Sequence, residues 1–296
     1  MKGFYQMANL VSVIFPVKNE GKHIKNTIDS LRKCKTNHQY EMIVVDDASN
    51  DGCCDYLREN KEDDVTLVSV GGVGAAMARN VGADHAKGDY YIFCDAHLFF
   101  EDYWIDRLLE PIENGFADAT NPGIGDVANP SNVGYGYSWT STLEPRWNTG
   151  KRELFLSPHL AGGCLAISKK AFDDIGGFER GFKVWGREDE EISLKLWLFG
   201  YKCAVVPSVK VLHVFRSDSP PFVITWDQVN YNLMRMAYSH FNEERIEKCK
   251  KIIKHSKPEK IVSDVLQSNV LEQRKAYFAK RKYDDDWYMK KFNIPF

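Results

Sequence analysis

The sequence predicts an α/β protein: a single Rossmann-like, mostly parallel sheet with flanking helices and a helical C-terminal extension. Three observations predict it. Short β-branched runs alternate with segments of helical period between Leu10 and Cys94, the rhythm of a parallel sheet covered on both faces. Two of these runs end at carboxylates, Asp46-Asp47 and Asp95, and open α/β sheets place their ligands at such strand ends. Beyond Phe241 the pattern is charged and helical, with no second strand-rich core.

The elements follow in order. Leu10–Val17 (LVSVIFPV) reads as a buried strand and Lys18–Gly21 as a loop. His23–Cys34 carries Ile24, Ile28 and Leu31 at helical spacing. Tyr40–Val45 is a second strand, followed by a turn over Ala48–Gly52 and a short helix around Tyr56–Glu59. Val65–Val70 is a third strand, Gly71–Gly74 opens a helix over Ala75–Lys87, and Tyr90–Cys94 is a fourth strand. Tyr103–Ile112 has a helical pattern, whereas Ala119–Tyr137, rich in Gly, Pro and Asn, reads as a segment that includes loops. His159–Ile167 reads as a strand with Gly162-Gly163 inside it, a bulge or a point of close ligand approach. Lys169–Ile175 and Glu190–Phe199 read as helices, Lys202–Val206 and Val209–Val214 as short strands. These elements place one α/β domain at residues 1–240 and a helical extension at 241–296.

Composition narrows the function. The 296 residues are 44% hydrophobic and 27% charged, with a formal net charge of −2, which gives no general basis for nucleic-acid binding. No apolar run reaches the roughly 18 residues of a membrane span, so no integral membrane segment is expected. The apolar N-terminal stretch runs straight into the first strand and lacks a cleavage pattern, so it is not read as a signal peptide. Seven cysteines without a C-x-x-C pair predict a reducing, cytoplasmic setting. Nothing in the composition sets an oligomeric state.

The chemistry concentrates in Tyr90–Phe100 (YYIFCDAHLFF), a strand running out into Asp95-Ala96-His97. Alternation sends positions i and i+2 to one side, so Asp95 and His97 can reach a single cation. The plainer alternative is a turn-capping aspartate beside a surface histidine. With Asp46-Asp47 and Glu188–Glu191, three acidic clusters follow apolar runs or aromatic turns, the pattern of a shared crevice. Asp46-Asp47 suits hydrogen bonding to a nucleoside. Gly71–Gly74 suits close backbone approach, with the helix N-terminus favouring phosphate. A diphosphate needs its charge offset, which a divalent cation on Asp95 and His97 supplies.

These residues also carry a resemblance. VSVIFPVKNEG, EMIVVDDASNDG and GAAMARNVGADHAKGDYYIFCDAH resemble the nucleotide-binding half of family 2-like nucleotide-sugar glycosyltransferases with the GT-A fold. AGGCLAISKKAFDDIGGF, VWGREDEEISLKLW and VLHVFRSDSPPF resemble polypeptide N-acetylgalactosaminyltransferases, which use D-x-H where most relatives use D-x-D. The resemblance spans residues 10–240. It does not extend to the lectin domain or the membrane anchor of the animal enzymes, which are expected to be missing. It implies a UDP-sugar donor, UDP-GalNAc first, and Mn²⁺ as cofactor with Mg²⁺ as the alternative. It further implies that Pro16, Val17 and Glu20 lie beside the nucleoside, that Asp47 accepts from uracil and that Arg79 lies near the nucleotide. Asp95, His97 and His213 would hold the metal, although His213, in an apolar strand, also reads as a core histidine. Arg216 would reach the diphosphate, Gly162 and Gly163 would let the sugar approach the backbone, Glu188 would hold its hydroxyls, and Trp185 would flank the reacting centre.

One position departs from the pattern of the polypeptide transferases. The retaining polypeptide transferases read W-G-G-E-N, where this chain has Trp185-Gly186-Arg187-Glu188-Asp189. The inverting β-1,4-galactosyltransferases and bacterial chondroitin-type polymerases resemble it with G-E-D. Inversion needs a base on the acceptor side, so Asp189 is expected to be that base; the plainer reading is an acidic residue in a helix first turn. The acceptor is then a hydroxyl of a peptide, a protein or a glycan. Two alternatives stand beside this reading: a retaining polypeptide-transferase-like enzyme, and a sugar-nucleotide-binding module without activity. A nucleotidyltransferase would want a Gly- and Arg/Lys-rich loop where Val17-Lys18-Asn19-Glu20 stands. The Phe215–Phe222 loop is expected to close over the nucleotide.

Overall fold

The structure, a computed structural model, describes residues 9–216 and 220–296. Residues 1–8, in the apolar N-terminal stretch, and 217–219, in the Phe215–Phe222 loop, lie outside the described residues. In chain order come β1 (Leu10–Val17), α1 (His23–Lys33), β2 (Gln39–Asp47), α2 (Asp55–Glu59), β3 (Val65–Val70), α3 (Ala75–His85), β4 (Tyr90–Cys94), β5 (Leu98–Phe99) and α4 (Trp104–Glu113). Next are β6 (Ala119–Asp126), β7 (Val133–Gly134), β8 (Tyr137–Trp139), β9 (Pro145–Trp147), β10 (Phe155–Leu156), β11 (Cys164–Ser168), α5 (Lys169–Ile175), α6 (Glu188–Phe199) and β12 (Cys203–His213). α7 (Trp226–His240) closes the first part of the chain, and the extension holds α8 (Glu243–Ile252), α9 (Pro258–Leu266), α10 (Val270–Lys280) and α11 (Asp285–Lys291). Among the described residues no helix is long and apolar enough to cross a membrane.

The main sheet runs β10-β12-β6-β11-β4-β1-β2-β3. β1 to β4 pair in parallel, as do β6 and β12, and β11 lies antiparallel between β4 and β6. The predicted mostly parallel sheet is therefore present. Side-chain alternation divides the core: Val11, Val13, Phe15 and Val17 of β1 pack with Ile24 and Ile28 of α1 and Leu108 of α4. Ile14, on the opposite face, packs with residues of α3 and α6.

Three elements differ from expectation. Ala119–Asp126 is an inner strand rather than loop, despite Asn121, Pro122, Gly123 and Gly125. Its pairing with β12 jumps register between Val206 and Lys210, and Pro122, which has no N–H to donate, sits at the edge of that break. The two expected short strands are one strand, β12, carrying that irregularity. The strand expected from His159 begins only at Cys164, so Gly162-Gly163 precedes β11 as irregular backbone.

The extension shares the core rather than forming its own. Phe241, Ile246, Val265, Tyr288 and Met289 join one apolar cluster with Ile192, Leu196 and Phe199 of α6. The Tyr288 hydroxyl donates to the Pro158 carbonyl at 2.8 Å, and Lys282 N donates to Leu198 O at 2.8 Å. Inside α6, Lys195 Nζ lies 3.1 Å from Glu191 Oε1, both side chains fully buried, and His240 Nε2 of α7 lies 2.8 Å from the same oxygen. α6 is thus clamped between the sheet, α7 and the extension.

Gly82, in α3, tests this packing. A Cβ there would lie 2.3 Å from Ile14 Cγ2 on β1. Alanine in a helix interior is normally better than glycine by about 0.5–1 kcal/mol, but overpacking a core contact costs about 1–3 kcal/mol. Gly82→Ala is expected to lower the urea unfolding midpoint. A raised midpoint would show that α3 and β1 are less tightly apposed.

Candidate active site

Asp95 leaves β4 with its N–H donating to Gly163 O at 2.9 Å, just before β11. His97 precedes β5, and His213 ends β12. These two strands pair with His213 opposite Leu98, which brings the imidazoles together. His97 Nε2 and His213 Nε2 are 3.0 Å apart, and His213 Nε2 is 3.4 Å from Asp95 Oδ2. The three residues offer donor atoms within 4.8 Å of one another and form the one such cluster among the described residues.

The protonation pattern shows what the cluster fits. His97 Nδ1 lies 3.1 Å from Glu20 Oε2, so its proton belongs there and Nε2 presents a lone pair. A single Nε2 proton on His213 serves either His97 or Asp95, not both. His213 Nδ1 has no partner among the described residues. More acceptors than donors converge, and a divalent cation removes the deficit. The mixture of carboxylate and imidazole suits Mn²⁺ and its neighbours in the first transition row. Burial alone would raise the Asp95 carboxyl. His213, His97 and Arg79 outweigh burial and hold it well below the usual carboxylate range.

Two cavities meet at this cluster. One, of about 540 Å³, is lined by Pro16, Val17, Glu20, Asp47, His97 and Arg216. The other, of about 360 Å³, is lined by Gly162, Gly163, Arg187, Glu188, Asp189 and Tyr137. Arg79, Asp95, Trp185 and His213 line both, and Trp185 is 47% exposed between them. Every residue singled out for a role in the sequence therefore lies at one end of the sheet.

Several are engaged differently from expectation. The Asp47 carboxylate accepts from Val73 N at 2.5 Å and Gly74 N at 3.0 Å, and Ala75 N donates to Val184 O at 2.8 Å. These protein acceptors occupy N–H groups that were expected to face phosphate. Gly74 (φ +86) is glycine for packing, since a Cβ would meet the Val184 backbone at 2.9 Å. Asp46 faces away from the cavities, accepting from Ser49 N and pairing with Arg58. Glu20 holds His97 and Arg216. A Cβ on Gly162 would lie 1.9 Å from Asp189 Oδ1, so that space belongs to Asp189 rather than to a sugar. Glu191 is spent in the buried pair within α6.

α6 begins at Glu188, so Glu188 and Asp189 occupy its first turn. Glu188 folds back to accept from Gly186 N at 2.9 Å, and Asp189 Oδ2 accepts from Gly162 N at 2.7 Å. Burial pushes Glu188 up to about 7 and Asp189 up to about 6, against the opposing charge of Arg79. Sequence reasoning gave no role to Arg187, Glu190, His159 or Tyr137, all in the smaller cavity. Arg187 was visible only as a residue standing where the resembling enzymes have glycine.

Comparison with known proteins agrees with this architecture. The family described as "Glycosyl transferase family 2" matches residues 12–176, and that described as "N-terminal domain of galactosyltransferase" matches 153–217. Polypeptide N-acetylgalactosaminyltransferase 11 of Xenopus tropicalis is 30% identical over 232 residues, 69% of this chain and 38% of that protein. Polypeptide N-acetylgalactosaminyltransferase 8 of Drosophila melanogaster is 32% identical over 237 residues, 73% of this chain and 40% of that protein. The chain thus spans about two fifths of the length of such relatives. Among solved structures, GalNAc-T7 with UDP, GalNAc and Mn²⁺ superposes with a TM-score of 0.78 at 23% identity, covering 97% of this chain and 59% of that one. The mannosyltransferase PcManGT from Pyrobaculum calidifontis, with GDP-Man and Mn²⁺, gives 0.55 at 19% identity, covering 93% and 75%. At these identities the structural matches establish the fold. The first sequence match extends over more than half of the chain, and the protein belongs to glycosyl transferase family 2.

Proposed function

We propose that this protein is a divalent-cation-dependent glycosyltransferase that moves a hexose or N-acetylhexosamine from a UDP-sugar, UDP-GalNAc first, to an acceptor hydroxyl with inversion. The observation that carries this reading is the Asp95–His97–His213 cluster at the junction of two cavities, one of them holding an enclosed carboxylate, Asp189. The family, and relatives named for N-acetylgalactosamine transfer, support the donor class.

In this reading the larger cavity takes the nucleotide. Pro16 and Val17 flank the base, Asp47 accepts from it, and Arg79 and Arg216 bring positive charge to the diphosphate. Asp95, His97 and His213 would hold Mn²⁺ or Mg²⁺, which would supply positive charge to offset that of the diphosphate. Glu20 fixes His97 through Nδ1. The smaller cavity takes the sugar and the acceptor, with Glu188 and Trp185 beside the reacting carbon. Gly162 N–H anchors Asp189 Oδ2, and Oδ1 has no hydrogen-bond partner among the described residues. As the acceptor oxygen bonds to the anomeric carbon, the bond from that carbon to the diphosphate oxygen breaks and Asp189 takes the hydroxyl proton.

Two experiments test this. Asp189→Asn is expected to lower transfer by about 100-fold or more while UDP still binds. Because the base must be deprotonated, the wild-type rate should fall as pH drops through about 6, and the variant should lose that limb. Near-normal transfer by the variant would remove Asp189 from the chemistry and favour the retaining alternative. In calorimetry, His213→Ala should bind UDP equally with Mn²⁺ or with chelator, whereas the wild type should bind more tightly with Mn²⁺. A His213→Ala protein that responds to Mn²⁺ as the wild type does would place the cation elsewhere.

A further inference from the structure

The smaller cavity contains polar groups for which the transfer step has no use. Arg187 occupies a left-handed backbone conformation, φ +74, which disfavours any side chain. Its Nη1 donates to Leu143 O at 2.7 Å and to Glu190 Oε1 at 3.2 Å. Nε and Nη2 have no partner among the described residues. His159 lines the same cavity, is 1% exposed, and neither ring nitrogen has a partner. A buried polar group left unmatched costs about 1–3 kcal/mol, which applies to the two His159 nitrogens; with Arg187 beside them on the same cavity, they mark a place where a ligand completes the hydrogen bonding.

The chemistry of the wall selects among ligands. Arg187 and Glu190 form an ion pair, so this wall carries no net charge to attract an anion. It offers donors and acceptors side by side. Burial pushes the His159 imidazole down to about 4, so it is neutral, with one donor and one acceptor, the complement of a hydroxyl. Tyr137 and Trp147, with ring centroids 4.0 Å apart, add an aromatic wall. An extended peptide calls for backbone-directed partners along a groove, whereas these side chains converge on one compact volume.

Resting on the glycosyltransferase reading, we propose that this cavity is an acceptor subsite for a sugar ring, read by Arg187, Glu190 and His159, and that the acceptor is a glycan rather than a peptide. Saturation-transfer NMR on the full chain with UDP and Mg²⁺ tests it. The probes are the methyl β-glycosides of GalNAc, GlcNAc, galactose and glucose, and a Ser/Thr peptide. At least one glycoside should receive saturation and the peptide should not. Arg187→Gly, which places glycine at a position that favours it, and His159→Phe should each weaken glycoside binding by about 10-fold or more. UDP affinity, measured by calorimetry, should stay at the wild-type value in both, reporting an intact fold. Glycosides silent while UDP binds, saturation of the peptide alone, or variants that bind glycoside like the wild type would each overturn the acceptor assignment. Loss of UDP binding by the wild type would instead overturn the donor reading.

Discussion

The pairing of β5 with the end of β12 is the contact on which the site depends. It is only two residues long, yet it brings together imidazoles 116 positions apart in the chain. So short a ladder needs support from outside the sheet. Thr27 and Ser30 of α1 supply it, their hydroxyls accepting from Leu98 N at 2.9 Å and Phe100 N at 3.0 Å. Beyond the ladder, Val214 N donates to His97 O at 3.1 Å and Val127 N to His213 O at 3.0 Å. The peptide group that follows each of the two histidines is therefore satisfied. Rotation of either ring is limited by packing: His97 lies edge-on to His213, and Phe215 covers the other side of His213.

The carboxylates at the start of α6 depend on a different principle. Asp189 and Glu188 stand at the start of a helix, where the unsatisfied N–H groups favour negative charge. Burial works against that charge and raises both carboxyls, while Arg79 opposes the rise. The balance leaves groups whose protonation changes near neutrality, as proton-transfer chemistry requires. Such a balance holds only if the helix cannot move. α6 is buried along almost its whole length, and its Glu191 is shared by Lys195 and by His240 of the next helix. A buried ion pair is weak support for stability, but it restricts how α6 and α7 can sit against one another. α7 also lines the cavity that holds Asp189, through Val229, so it reaches the site both directly and through its hold on α6.

The sequence was legible where local pattern and final structure agree. β1 to β4 and their helices appear nearly where periodicity placed them, because β-branched runs and spaced apolar residues answer to the same burial that forms the core. Asp95-x-His97 was readable because alternation is a local rule. His213 was not readable from its own surroundings: an apolar strand ending in histidine fits a core position equally well, and only the pairing with β5 decides its neighbours. β6 was misread because Asn121, Pro122 and two glycines are poor strand formers, and tertiary pairing on both sides overrides that preference. The glycine loop was misjudged for a similar reason. Its open conformation serves Val184 and Asp47, which are far apart in sequence from one another. No local signal marks His159, whose two buried ring nitrogens have no partner among the described residues.

Gly162 and Gly163 join the two halves of the site. Gly162 N–H holds Asp189, and Gly163 O receives the N–H of Asp95. A side chain at Gly162 would intrude on the carboxylate itself, whereas a Cβ at Gly163 would make ordinary contact, at 3.5 Å, with Asp95 Oδ2 and His213. In a direct displacement the entering hydroxyl and the departing diphosphate stand on opposite sides of one carbon. The groups serving each must keep a fixed separation, since small misplacements are costly in rate. The proposed base on α6 and the Asp95–His97–His213 cluster belong to different elements, and small relative movements of those elements would spoil the alignment. Two adjacent residues, one hydrogen-bonded to Asp189 and the other to the Asp95 N–H, tie both sides to one short stretch of backbone and so limit how far that separation can vary.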